Sequence, residues 1–534
     1  MNFNKTLCGP FIAQCVSEGC RILGTISRLR IRVISNVCQG CLLVAICFAV
    51  LFASPALGDS KPNIVFILVD DLGNADVGFN GSTYYETPNI DALAKGGLVI
   101  ENAYMYPTCS PSRTALATGK QSFRTGVYTV PVLEAGDDQA NIFSRWTVGE
   151  EHIMYSQPLA DVGYKSIHLG KWHLVGPYPK EELAMEYPLK KKLKQPDPWD
   201  FSWVPYHKEH CQKYYPEGRG YLKNVGGTYR GDPALEIGGY KGKTGGYFAP
   251  FSNPFIEPKP DDEWLTDRLT DDAIEFMDEH QEDPFLINMH YYTVHRPIRG
   301  RSKELVQKYL EKPGDPITGQ GMGEGKNKLR DAEYATMIES LDDNVGRIVQ
   351  FLDDNGLREN TLIVFTSDNG QNVGSNDKLR GKKGYIYEGG IRVPTCMNWP
   401  GKIDARRTQT AVAGLDLFPT FMDIAGIDYD GVLDGDSVTG LFQGEPESLQ
   451  NRPLFWHLAS CYKHGACSVI RKNNLKLIQF LADGKMELYD LDNDPREEHN
   501  LAETNPEQTQ ALLKELVDWR KSNDVPLPPG SVLR

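Results

Sequence analysis

This sequence predicts an α/β fold with a mostly parallel central sheet flanked by helices. Three apolar runs rich in branched residues carry the prediction: "PNIVFILV" at 62–69, "PFLINMHYY" at 284–292 and "TLIVFTS" at 361–367. Strands buried on both faces read as near-continuous apolar runs, whereas half-exposed strands alternate. Helical patterns precede the second and third runs, and strands alternating with helices imply a parallel sheet. In "DAEYATMIESLDDNVGRIVQFLDDNGL", Met337, Leu341, Val345, Ile348 and Leu352 recur at three- and four-residue spacing, and Asn355-Gly356 supplies the stop. A further helical stretch, "TDRLTDDAIEFMDEH", covers 266–280.

The remaining segments follow in chain order. Residues 1–58 carry Lys5, Arg21, Arg28, Arg30 and Arg32 against Glu18 alone, then the apolar "LLVAICFAVLFA" at 42–53 and the small residues of "SPALGD". A basic segment, a short apolar run and a small residue at a cut after Gly58 read as a secretory signal, hence an exported, periplasmic or secreted protein. The apolar run falls short of the ~20 residues of a comfortable membrane span. The alternative is an uncleaved N-terminal anchor. Residues 59–430 are assigned to the main α/β domain. Within it, 176–262 lacks periodicity and is rich in Gly, Pro, Tyr, Trp and Lys, as irregular insertions that shape substrate pockets often are. A well-packed surface excursion is the plainer reading, and Lys190–Lys192 with Lys194 reads as a solvated face. Residues 431–534 are assigned to a small C-terminal subdomain: "SVIRKNNLKLIQF" and "KMELYDLDND" resemble antiparallel strands, and "PEQTQALLKELVDWRKS" an amphipathic helix.

Charge narrows the partners. Without residues 1–58 the basic count falls from 57 to 52 and the acidic count from 71 to 70, a net charge of about −18. Nucleic acid and other extended polyanions are excluded as general partners, so any anion must bind locally. Six of eleven cysteines lie in the leader, leaving Cys109, Cys211, Cys396, Cys461 and Cys467. An odd number in an exported protein points to one cysteine with a separate task. Cys461 and Cys467 are close enough in sequence to form a bridge.

Acidic pairs close two predicted strands: Asp70-Asp71 after "IVFILV", and Asp368-Asn369 after "LIVFTS". The carboxyl ends of parallel strands border the ligand crevice. Adjacent carboxylates there repel one another unless a cation neutralises them, and oxygen-only ligands suit a hard divalent ion, calcium or magnesium. "GKWHLVG" at 170–176 offers Lys171 and His173, two residues apart and pointing the same way if the chain stays extended. "TVHRPIRG" at 293–300 offers His295. "LRGKKGYIYEGGIRVP" at 379–394 offers a Lys383-Gly384 turn and the double glycine Gly389-Gly390, suited to bringing an ammonium close to an anion. A metal, several cations and two histidines together suit an anionic tetrahedral ester. In "PTCSPSRTALATGK", Pro111 fits the first turn of a helix that Ser110 or Ser112 could cap. Cys109 then sits at the donor-rich helix end where oxyanions bind, with Arg113 one turn in.

Cys109-Ser110-Pro111-Ser112-Arg113, with Leu116 and Thr118-Gly119, resembles the type I sulfatase signature. "VDDLG", "GKWHL", "SDNG", "YEGG" and "ELYDLDNDPREEHNLA" occur in that family's order, so the resemblance runs from about 61 to about 520. Lys120 stands where the family usually has Arg, and Asn74-Ala75 where it has aromatic-Gly. The resemblance implies an alkaline-phosphatase-like core and oxidation of Cys109 to formylglycine by a maturation enzyme. It implies Asp70, Asp71, Asp368 and Asn369 as calcium ligands, with magnesium the lesser candidate. Arg113 and Lys171 would hold the formylglycine hydrate, Lys171 and Lys383 would neutralise the sulfate, His295 would protonate the leaving alcohol, and His173 would take the proton released as sulfate departs. The expected substrate is a sulfated carbohydrate. The alternatives are a phosphate or phosphonate ester hydrolase of the same superfamily, or a sulfated-glycan-binding protein whose cysteine is never oxidised.

Overall fold

The computed structural model describes residues 61–134, 139–176, 209–233, 245–257, 259, 263–313, 328–377 and 379–532. The expected leader at 1–58 and the Lys190–Lys194 cluster lie outside the described residues. Fourteen strands are found among the described residues. The first ten are β1 (Asn63–Val69), β2 (Leu98–Ile100), β3 (Ala103–Tyr104), β4 (Lys165–Gly170), β5 (Lys223–Val225), β6 (Phe285–His290), β7 (Thr361–Ser367), β8 (Cys396–Asn398), β9 (Arg406–Thr408) and β10 (Val412–Ala413). Four more, β11 (Leu454–Leu458), β12 (Cys467–Lys472), β13 (Leu475–Phe480) and β14 (Met486–Asp490), form an antiparallel sheet in chain order.

The three apolar runs become adjacent central strands of the large sheet, whose order is β5-β4-β6-β1-β7-β8-β2-β9. Strand β1 pairs in parallel with both β6 and β7, so that Ile64 lies opposite Leu286 on one side and Leu362 on the other. Strand β8 is antiparallel to both neighbours, β7 and β2. The helices that cover the sheet are α1 (Pro88–Lys95), α2 (Cys109–Thr118), α3 (Leu265–Glu279), α4 (Lys328–Asp354) and α5 (Leu417–Ala425). Alternation along β1 serves both faces. Val65, Ile67 and Val69 enter a core with Leu269 and Phe276 of α3 and Met337, Leu341 and Ile348 of α4. Ile64, Phe66 and Leu68 face Leu417, Phe418 and Phe421 of α5. Helix α4 ends where Asn355-Gly356 predicts: Gly356 takes φ 68° and Leu357 N–H donates to Leu352 O at 2.8 Å.

Two expectations need amendment. The region without sequence periodicity contributes edge strand β5, parallel to β4 with Ile167 opposite Lys223; three residues are too few to show a period. Cys461 and Cys467 are not bridged, and both are buried thiols. Cys461 Sγ lies instead 3.6 Å from His464 Nε2. Among the described residues no helix is long and apolar enough to cross a membrane.

The C-terminal sheet, backed by helix α6 (Pro506–Ser522), joins the rest through buried charge. Lys476 of β13 is fully buried, 3.0 Å from Glu388 and 2.9 Å from Glu497. Its Nζ donates to Ile386 O, and Glu497 accepts the Glu388 backbone N–H at 2.7 Å. Removing one member of a buried ion cluster strands the others. Lys476→Ala is therefore expected to cost on the order of 3–5 kcal/mol, measured by urea unfolding.

Candidate active site

Four neighbouring strands deliver the predicted residues to one place. Asp70 and Asp71 follow β1, Lys171 and His173 follow β4, His295 lies beyond β6, and Asp368 and Asn369 follow β7. Consecutive strand residues point to opposite faces. Asp71 escapes this with φ 64°, a left-handed turn uncommon outside glycine. His173 has φ 59°, so Lys171 and His173 converge through a turn and not through the extended chain expected from their spacing. Gly170, with φ 92°, begins that turn, and a Cβ there would stand 2.0 Å from His290 O.

Cys109 is the first residue of α2 and lies buried, its Sγ 3.4 Å from His173 Nδ1. Thr108 holds the N-cap position, and neither Ser110 nor Ser112 caps the helix. Ser112 Oγ instead bonds the backbone of Tyr106, accepting its N–H at 3.0 Å. Arg113, one turn in, is buried: its Nε donates to Asp368 Oδ2 at 2.9 Å, and a terminal nitrogen donates to Lys171 O at 2.8 Å. Lys171 Nζ donates to Asp70 Oδ2 at 2.6 Å, and Lys383 Nζ to Asp71 Oδ1 at 2.5 Å. Gly384, after Lys383, donates its N–H to Pro107 O, which ties the lysine's turn to the start of α2. Gly389-Gly390 serve a different purpose from the one expected. They pack behind Asn369, where Gly370 N–H donates to Gly390 O at 2.9 Å.

The acidic groups share one pattern. Asp70 and Asp71 each commit one oxygen to a lysine. Asn369 commits its Nδ2 to Asp71 Oδ1 at 2.7 Å. Asp70 Oδ1, Asp71 Oδ2 and Asn369 Oδ1 are left buried without a hydrogen-bond partner. Orphaned buried acceptors are costly, and three together, two on carboxylates and one on an amide, fit a hard divalent cation. Asp70, Asp71 and His295 also lie within ligand reach of one another. Asp368 joins the cluster differently, one oxygen on Arg113 and the other 3.3 Å from the Asp71 N–H.

Electrostatics sets the proton positions. Burial opposes ionisation of Asp70, but Lys171, with His295, Arg113 and Lys383, outweighs it and holds the carboxyl well below its usual range. Burial and the Asp70 carboxylate push Asp368 up, against Arg113. Burial opposes the charge on Lys383, but Asp71 outweighs it and keeps the ammonium protonated. Burial, then Lys171 and Arg113, drives His173 well below the ordinary histidine value, leaving it neutral and able to accept a proton. Burial also pushes the Cys109 thiol up, against the pull of both lysines. An unmodified Cys109 is therefore a neutral thiol and a poor nucleophile.

Three further residues gave no sequence signal. Asp76 is buried and accepts from Gly73 N–H, Ser375 N–H and Tyr334 OH, joining the loops after β1 and β7. His290 Nδ1 lies 3.2 Å from Arg113. Asp232, from the irregular region, lies 3.2 Å from His295 Nδ1.

A family model described as Sulfatase matches residues 62–427, and one described as N-sulphoglucosamine sulphohydrolase, C-terminal, matches residues 381–522. A curated sulfatase of Formosa agariphila is 29% identical over 89% of this chain and 93% of its own length. The N-acetylgalactosamine-6-sulfatase of Mus musculus is 28% identical over 74% of this chain and 68% of its own. Among solved structures, Ps i-CgsB in complex with k-i-k-neocarrahexaose aligns with TM-score 0.65 and 27% identity, covering 88% of this chain and 94% of that one. The fold is thus the alkaline-phosphatase-like fold of these enzymes.

Arg113→Met would leave Asp368 beside Asp70 without its cation. It is expected to cost about 3–5 kcal/mol at neutral pH. The loss should shrink in mild acid, where Asp368 takes up a proton, as paired urea titrations at the two pH values would show.

Proposed function

Because this chain belongs to the sulfatase family and is a sulfuric ester hydrolase, we propose that it removes sulfate from a sulfated carbohydrate, using a formylglycine made from Cys109 by a maturation enzyme and a bound calcium ion. The observation that carries this reading is the set of three orphaned oxygens on Asp70, Asp71 and Asn369, beside a cysteine ringed by Lys171, Lys383, Arg113 and His173. The carbohydrate assignment draws support from the saccharide named with Ps i-CgsB and the sugar named for the mouse relative. The leader suits export, as a periplasmic or secreted protein.

Asp70, Asp71, Asp368 and Asn369 would hold the cation, which when bound lowers the pKa of a nearby hydroxyl and draws on the sulfate oxygens. Formylglycine as its hydrate offers two hydroxyls, one to attack sulfur and one through which sulfate is released without water attacking it. Lys171 and Lys383 neutralise the sulfate oxygens, and their pairing with Asp70 and Asp71 fixes both ammonium groups in advance. Arg113 orders Asp368 and spans to the hydrate. His295 gives a proton to the leaving alcohol oxygen. Neutral His173, 3.4 Å from Cys109 Sγ, takes the proton released as sulfate departs.

Protein co-produced with a formylglycine-generating enzyme is expected to release sulfate from at least one member of a panel of sulfated oligosaccharides, with Cys109→Ala inactive. Mass spectrometry should find the aldehyde at position 109. If it does, and sulfate is never released, the assignment moves to phosphate esters. Calcium is expected to raise the Tm, and a hundredfold excess over Kd corresponds to about 2.7 kcal/mol of stabilisation. Magnesium should raise it less, and Asp71→Ala should abolish the shift. An unchanged Tm in the wild type would remove the cation from the reading.

A further inference from the structure

His173 and His295 belong to different strand ends, yet one short segment touches both. Thr228 O accepts the His173 backbone N–H at 3.0 Å. Gly231 lies so close to the His173 ring that a Cβ there would stand 3.1 Å from Cε1 and 3.3 Å from Nε2. Asp232 Oδ1 lies 3.2 Å from His295 Nδ1, and buried Arg230 reaches the other Asp232 oxygen at 3.3 Å. The segment's base is tied as well: Asn224 and Gly227 exchange two hydrogen bonds, and Tyr292 OH donates to Gly226 O at 2.9 Å.

The surroundings of His295 fix its tautomer. Its Nδ1 is 2.9 Å from Arg296 O as well as 3.2 Å from Asp232 Oδ1, two acceptors with no donor among the described residues, so Nδ1 carries hydrogen. Nε2 is then the ring atom turned toward the site, 3.8 Å from Asp71 Oδ2. A carboxylate on the far nitrogen of a catalytic imidazole holds the ring's orientation and tautomer.

We propose that Thr228–Asp232 is the positioning element for both histidines, with Asp232 setting the His295 ring and Gly231 seating His173. This rests on the histidine roles proposed above. When the sulfur–oxygen bond to the alcohol breaks, its electron pair stays on the alcohol oxygen, which takes the Nε2 proton of His295; the ring enters this step as the imidazolium, with hydrogen on both nitrogens, and leaves it as the neutral Nδ1–H tautomer. A poor leaving group needs that proton and a nitrophenolate does not, so a loosened His295 penalises the two unequally. His173 acts in the later half of the cycle, so a displaced His173 ring slows sulfate departure and leaves alcohol release fast.

The test compares wild type, Asp232→Ala, Asp232→Asn and Gly231→Ala, all carrying the oxidised residue 109. On an alkyl or saccharide sulfate Asp232→Ala is expected to lose about a hundredfold in kcat, and at least about tenfold less on 4-nitrophenyl sulfate. Asp232→Asn, which keeps an acceptor for Nδ1–H, should recover part of the difference. Gly231→Ala should show a burst of nitrophenol before the steady state, and Asp232→Ala none. Equal losses on the two esters, or no burst in Gly231→Ala, would overturn the proposal. A second readout needs no turnover: 15N spectra of the histidine rings should show Nδ1–H on His295 in the wild type and a weakened preference in Asp232→Ala, where Arg296 O remains as an acceptor. An unchanged His295 ring would sink it too. Absence of sulfate release by the wild type would count against the sulfatase reaction alone, since the ring spectra would still decide the role of Asp232.

Discussion

Charge buried at the ends of four parallel strands is the constraint on which the rest of this structure depends. Asp70, Asp71 and Asp368 lie at the heart of the protein, where an uncompensated carboxylate costs several kcal/mol. Each is met by a cation from a distant segment: Lys171 for Asp70, Lys383 for Asp71 and Arg113 for Asp368. Three anions face three cations, so the cluster is neutral as it stands. A divalent cation on the open oxygens would leave an excess of two positive charges, the complement of an anionic ester. The ion pairs make the site foldable, and selectivity for anions would come from the cation that the open oxygens could hold.

The same requirement explains how remote parts of the chain serve the site. Lys476, Glu388 and Glu497 form a second buried ion cluster, at the joint with the C-terminal sheet. It fixes the short helix Glu388–Ile391, whose glycines pack against Gly370, the residue after Asn369. Glu497 belongs to "DPREEHNLA", a stretch that carries no chemistry by composition. Its function is structural: it accepts the Glu388 N–H and shares Lys476 with the Glu388 carboxylate. Asp76 does similar work, accepting from Gly73 in its own loop, from Ser375 in the loop after β7 and from Tyr334 of α4.

Much of this was legible in the residues. The apolar runs identified β1, β6 and β7, the helix over 331–357 was bounded by its own Asn-Gly, and the amphipathic helix over 506–522 lies where its pattern places it. The acidic pairs, Cys109, Arg113, Lys171, His173, His295 and Lys383 were all visible as groups of suitable chemistry. Asp232 was not, because a single acid in an aperiodic Gly-rich stretch carries no local signal. Whether Cys461 and Cys467 are bridged stayed open in the sequence, since proximity along the chain says nothing of where two thiols point.

Composition and pattern by themselves determined the alternation of strand and helix, the ends of the central strands and the kinds of group placed there, because these follow from local periodicity and from residue chemistry. Only the tertiary structure decided which lysine meets which aspartate, which oxygens stay open, that Asp71 and His173 turn left-handed to face inward, and that Asp232 stands behind His295. Those outcomes depend on which distant segments are packed side by side, and the burial that makes such contacts strong exists only once the sheet has formed.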